Sequence, residues 1–128
     1  MQVIDTSAIA RFALREEGWE GLTDYLKEGT TIPFAAVELG NVLWKRLVKN
    51  MINSEAAAEI LEGFSTYYTF LNQNRHLVSA LRISKEGRLS FYDSLFIATA
   101  VGEGYGLVTC DRKQAEVARR RGVRVVEV

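Results

Sequence analysis

The sequence predicts an α/β fold, a parallel sheet with helices on both faces. Short apolar, β-branched runs such as Val3-Ile4 and Leu107-Val108 alternate with longer stretches of helical periodicity, the pattern of strands joined by crossover helices. Several of those runs end abruptly in Asp, Thr or Ser, the residues that start helices. The stretch Leu89 to Ala100 leaves almost no polar face if it is helical, so it belongs in a core. One carboxylate, Asp93, falls in the first turn of that helix. Burying a lone charge is costly, so Asp93 must be neutral, paired or bound to a cation. The local alternative is a capping box, with Ser90 as N-cap and Asp93 its partner three residues on.

Taken in order, Met1 to Ile4 reads as a buried strand running into the capping residues Asp5-Thr6-Ser7. A short helix through Ile9, Phe12 and Ala13 follows. Gly18 begins a further helix, with Trp19, Leu22, Tyr25 and Leu26 at helical spacing and Gly29 as its stop. Thr30 to Ile32 is a minimal strand. Pro33 opens a long helix to about Asn50, striped by Ala35, Leu39, Val42, Leu43 and Leu47. Ser54 caps a helix carrying Ala57, Ile60, Leu61 and Phe64, and Tyr67 to Leu71 is read as a strand. Leu77 to Lys85 is helical with Gly87 as its stop, and the apolar helix comes next. Gly104 and Gly106 turn the chain into Leu107 to Cys110, a strand that ends at Asp111. Asp111 with Gln114 caps a helix through Ala115, Val117 and Ala118, which stops at Gly122 before a last strand, Val123 to Val128.

The 128 residues are expected to form one domain, 1–128, large enough to bury about two-thirds of the unfolded chain's surface. Sixteen basic and sixteen acidic residues leave no net charge, which removes the basic surplus of a typical nucleic-acid binder without excluding a local patch. Cys110 is the single cysteine, so no intramolecular disulfide forms and a reducing compartment is expected. With no membrane-length apolar run and no signal segment, a soluble cytoplasmic protein is expected.

In open parallel sheets, ligands bind beyond the carboxyl ends of the strands. Asp5 and Asp111 close two strands, Glu38 lies early in the helix after the Thr31-Ile32 strand, and Asp93 begins the buried helix. Parallel strands would bring all four acids to one edge. Any one of them could simply cap a helix. Capping does not explain an acid at every one of these junctions, one of them on a wholly apolar helix. Like charges so close need a counter-ion, and oxygen ligands alone suit Mg²⁺ or Mn²⁺.

These residues carry a resemblance. Val3-Ile4-Asp5-Thr6-Ser7, Glu38 with Leu39, Val42 and Leu43 behind it, Ser90-Phe91-Tyr92-Asp93 followed by Ala98 and Ala100, and Leu107 to Asp111 resemble the four motifs of the PIN domain family. The motif order covers Val3 to Val126, and the length is similar to that of the VapC-type toxin subgroup. The resemblance implies a parallel sheet of about five strands and a Mg²⁺- or Mn²⁺-dependent ribonuclease, held inactive by an antitoxin partner. It makes Asp5, Glu38, Asp93 and Asp111 the metal-binding acids, with Thr6, Ser7 and Thr109 as supporting hydroxyls. The stretch Met51 to Asn74 matches least well.

Phosphodiester hydrolysis by such a site yields a 5′-phosphate and a 3′-hydroxyl, because the 2′-hydroxyl is not the nucleophile. Glu38 or Asp111 could orient the water. Arg112 and Lys113 are the nearest candidates for substrate phosphates, with Arg11, Lys45, Arg46 and Arg88 behind them; Arg119 to Arg121 reads as structural, at a helix C-terminus. His76, alone among polar neighbours, is expected at the surface, and Cys110 is expected to be packed. Trp44, Tyr67, Tyr68 and Phe70, grouped on one surface, would form a patch for a homodimer that also takes an antitoxin segment. Two rivals stand beside this reading. A receiver-like Mg²⁺-binding signalling domain would need a second acid beside Asp5 and a Lys closing the last strand, and has neither. A non-catalytic PIN-like binding module would not need all four acids.

Overall fold

In the computed structural model, which describes residues 1–27 and 29–128, the strands β1 (Gln2–Ile4), β2 (Thr30–Thr31), β3 (Thr69–Phe70), β4 (Gly106–Thr109) and β5 (Val125–Glu127) form one sheet. Its order is β3-β2-β1-β4-β5 and every pairing is parallel, with Val3 opposite both Thr30 and Leu107, and Leu107 opposite Val125. Successive strand residues point to opposite faces, yet Val3, Ile4, Leu107 and Val108 are all fully buried. Both faces of the central strands are therefore covered, as the unbroken apolar runs required.

The helices are α1 (Thr6–Ala13), α2 (Thr23–Leu26), α3 (Phe34–Val48), α4 (Ser54–Tyr67), α5 (Leu77–Gly87), α6 (Phe91–Glu103) and α7 (Arg112–Arg120), with 3-10 turns at Trp19–Leu22 and Gln73–His76. The apolar helix is α6, and Ser94 to Ala100 are buried without interruption. It packs on β1 and β4 and against α5 and α7. Among the described residues, no helix is long and apolar enough to cross a membrane.

Several boundaries differ from those read in the sequence. The helix expected from Gly18 is a 3-10 turn followed by α2, because Gly18 sits in the left-handed region and the chain tightens before it becomes α-helical. Asn53, not Ser54, is the N-cap of α4, its side chain accepting from the Ala56 N–H. α4 continues through Tyr67, which shortens β3 and puts Tyr68 inside, stacked near Phe64, while Tyr67 stays exposed. The four aromatics thus form no single patch.

His76 is the clearest correction. It is 8% exposed, its ring Nε2 lies 2.7 Å from the Glu103 carboxylate, and Arg75 joins the same carboxylate at 3.2 Å. The ring occupies the space over Gly102, where an added Cβ would lie 2.3 Å from it. The polarity of its sequence neighbours describes the outer side of the turn, not the side packed on α6.

Candidate active site

The strand order reverses at β1: the chain passes from β1 out to β2 and β3, then returns to place β4 on the other side of β1. Such a switch point leaves a crevice at the carboxyl ends of the two strands. Asp5 ends β1 and caps α1, its Oδ1 accepting from the Ala8 N–H (3.0 Å) and the Ser7 hydroxyl (2.7 Å). Its Oδ2 accepts from the Thr109 hydroxyl at 2.5 Å. The capping expectation and the crevice expectation therefore meet on one side chain. Asp5 is 2% exposed, and burial pushes its pKa up to about 6 despite those three donors, with the charge of Asp93 adding to the rise.

Thr109, at the end of β4, joins two strand ends: it donates to Asp5 and accepts from the Asp111 N–H at 3.0 Å. Ser7 donates to Asp5 and accepts from the Cys110 N–H at 2.9 Å. Each hydroxyl has one proton, and both serve Asp5. Burial raises the Cys110 thiol, and this partly buried side chain packs against the core as expected. Thr6 donates to Glu38 Oε1 at 2.7 Å, which anchors the fifth residue of α3 to the first residue of α1.

Glu38 and Asp93 are half-buried, and both carboxyls are held above their ordinary range by burial. The Thr6 bond lowers the first and the charge of Asp93 raises it; the charge of Asp111 raises the second and Ser90 lowers it. Ser90 caps α6, accepting from the Asp93 N–H at 3.1 Å. Asp111 is exposed and caps α7 by accepting from the Gln114 N–H at 2.8 Å. Three of the four acids thus feel another member of the set, with Asp93 the common neighbour. Among the described residues no ion pair reaches any of the four; the ion pairs present use Glu16, Glu86, Glu103 and Glu127. Nor do three of these acids already converge in ligand geometry around one point. The four acids offer oxygen donors alone, the donor chemistry that suits a hard divalent ion keeping several of its waters.

Two side-chain contacts of the site are not evident in the sequence. Gln114 is 1% exposed, and its Nε2 donates to the Asp93 carbonyl at 3.1 Å, tying the start of α7 to the first turn of α6. Gln73 accepts from the Phe34 N–H at 2.8 Å and so closes the start of α3, where Pro33 offers no side-chain cap. The sequence signal for Gln114 is a polar residue on the inner, Ala-Val stripe of α7; Gln73 has none.

The basic candidates separate. Arg11 donates to the terminal Val128 carbonyl and Arg46 pairs with Glu16. Lys113 hooks the Arg88 carbonyl at 2.6 Å and stays exposed, as does Arg112. Arg119 and Arg121 pair with Glu127 and Glu86, in keeping with a structural role. Lys45 lies with Thr6, Glu38, Asn41 and Tyr92 around a depression of about 420 Å³.

The fold is an open, doubly wound α/β sheet with acids near its switch point, and the PIN domain family model matches residues 3–120. The chain belongs to the PIN domain family. It is similar to Ribonuclease VapC3 of Pyrobaculum aerophilum (29% identical, covering 89% of this chain and 92% of that one) and to Exonuclease VapC9 of the same organism (27%, 98% and 90%). Among solved structures it is similar to PAE2754 from Pyrobaculum aerophilum, with a TM-score of 0.76 and 26% identity over 98% of this chain and 92% of that chain.

Proposed function

We propose that the chain, acting as one domain over residues 1–128, is a divalent-metal-dependent endoribonuclease of the VapC type. In this reading it is the cytoplasmic toxin of a toxin–antitoxin pair, with Asp5, Glu38, Asp93 and Asp111 holding Mg²⁺ or Mn²⁺. One observation supports the reading: Asp5, Glu38, Asp93 and Asp111 come from four separate elements at the carboxyl end of the sheet, two of them half-buried and Asp5 buried, with no ion pair to any of them among the described residues. Neutralisation by a bound ion is what such a set lacks.

When bound, the ion supplies an activated water at neutral pH and positive charge for the phosphoryl oxygens. The chain's own residues do the rest. Thr109 and Ser7 fix both oxygens of Asp5, and Thr6 fixes Glu38. Glu38 or Asp111 orients the attacking water. Lys45, Arg88, Arg112 and the two free protons of Lys113 meet the phosphates around the cleaved bond. Water attack leaves a 5′-phosphate and a 3′-hydroxyl.

The same reading assigns the apolar groove beside Ile9, Leu39, Ile60 and Tyr67 to an antitoxin segment. It assigns Leu77, Val78 and Leu81, neighbours on α5 that are 39%, 64% and 62% exposed, to a homodimer contact.

The test is purified protein with linear and circular RNA, with Mn²⁺ and with chelator. Cutting of the circle in Mn²⁺ alone is expected, and it separates endonuclease from exonuclease action, the activity named for one relative. Asp93→Asn should lower the rate at least about a hundredfold with the fold intact. Full cleavage by Asp93→Asn, or cleavage in chelator, would overturn the site assignment. Light scattering that returns a monomer at micromolar concentration would remove the dimer.

A further inference from the structure

We propose that Tyr92 and Phe34 form a stacking platform for the base next to the cleaved bond, in single-stranded RNA; this rests on the nuclease reading above. The two rings lie nearly parallel, 4.9 Å between centroids at 23°, and Phe91 stands edge-on against Tyr92 at 6.4 Å. Tyr92 belongs to the most buried helix of the fold, where Ser94 to Ala100 are inside, yet it is 57% exposed. More than half of Tyr92 is therefore open to solvent while its ring is held against Phe34.

The platform adjoins the acids through both of its residues. Tyr92 precedes Asp93, and Phe34 lies four residues before Glu38 on the same side of α3. Both rings line the 420 Å³ depression whose other walls include Thr6, Asn41 and Lys45. An aromatic face, an amide and an ammonium beside a cluster of acids match the parts of one nucleotide: a base to stack, a base edge or sugar to hydrogen-bond, and a flanking phosphate. An apolar peptide would instead leave Lys45 and Glu38 to be desolvated. Gln73 fixes the backbone at Phe34 by accepting from its N–H at 2.8 Å, and Tyr92 holds the Phe34 ring by stacking on it. Duplex RNA keeps its bases stacked on one another and cannot use it.

The test measures binding apart from cleavage. Fluorescence anisotropy with a short labelled oligoadenylate, in Ca²⁺ in place of the catalytic ion, compares wild type, Tyr92→Ala and Tyr92→Phe. Tyr92→Ala should weaken binding about tenfold or more, the usual loss for one stacked base. Tyr92→Phe should stay within about twofold, because the ring is kept. An abasic site walked along the oligonucleotide should reproduce the loss at one position in wild type and cost nothing further in Tyr92→Ala. Additive losses, or Tyr92→Ala binding like wild type, would overturn the platform and give this face to a protein segment. Failure of wild type to bind any oligonucleotide would overturn it too. Cleavage in Mn²⁺ is scored separately. Stack-dependent binding without cutting would sink the nuclease reading and leave the platform. Cutting that ignores Tyr92 would do the reverse.

Discussion

Asp5 is buried, and its surroundings pull its carboxyl in opposite directions. Three hydrogen-bond donors favour the carboxylate, but burial outweighs them and lifts the folded-state pKa to about 6, above the 3.8 of the free side chain. The folded protein therefore takes up a proton at a pH where the unfolded chain has released it. The stabilisation is complete below about pH 4 and is lost as pH rises through about 6, a difference on the order of 3 kcal/mol. Glu38 and Asp93 are raised as well and act in the same direction. Urea denaturation in chelator should accordingly show higher stability at pH 5 than at pH 7.5, with the slope flattened in Asp5→Asn. Stability that falls steadily between pH 7.5 and 5 would refute this account. A divalent ion competes with that proton, so its stabilising effect should fade over the same interval.

At the scale of elements, the relative placement of α6 and α7 matters most, because Asp93 lies in the first turn of α6 and Asp111 is the N-cap of α7. Gln114 is the bolt between them, with its main-chain N–H on Asp111 and its side chain on the Asp93 carbonyl. Gln114→Ala should cost about 1–3 kcal/mol, the usual range for a lost buried hydrogen bond. If Gln114 positions the acids, the variant should also lose part of its Mn²⁺-induced rise in melting temperature. Ile83→Val, a core change on α5, should lower stability and leave that rise whole. Equal metal responses in both would reduce Gln114 to packing. The capping half of this arrangement was legible in the sequence, because an Asp after an apolar strand and three residues before a polar side chain is local chemistry. So were β1, β4 and α6, whose apolar runs need burial whatever surrounds them. The reach of Gln114 to α6 was not legible, since it depends on two helices meeting. His76 was misread for the same reason: its burial is decided by Gly102 and Glu103 on α6 and not by Asn72 to Arg75 beside it. Tyr92 was hidden by the uniform apolarity of its helix, which does not say which ring lies at the rim.

At the scale of the whole molecule, the strand order reverses at β1, and folding brings Asp93 near enough to Asp5, Glu38 and Asp111 for like charges to act on one another. That repulsion is present in the folded chain and absent from the unfolded one, so, on the reading proposed above, the metal-free protein carries a strain that a divalent ion would relieve. An ion that binds only the folded form, at about a hundredfold above its dissociation constant, adds roughly 2.7 kcal/mol. For a domain of this length that is on the order of 10 °C in melting temperature. Asp93 is the common neighbour of the set, so Asp93→Asn removes the charge that the others feel most. Its metal-free form should melt above wild type, while its rise with Mn²⁺ should shrink to a fraction of the wild-type value. Paired melting curves of the two proteins, in chelator and in Mn²⁺, separate the two roles open to this residue. The Ser90 hydroxyl caps α6, but no bond from the Ser90 N–H to the Asp93 carboxylate completes a capping box among the described residues. Equal metal-induced shifts in the two proteins would show that Asp93 is no ligand, and the ion, if bound, would then rest on Asp5, Glu38 and Asp111.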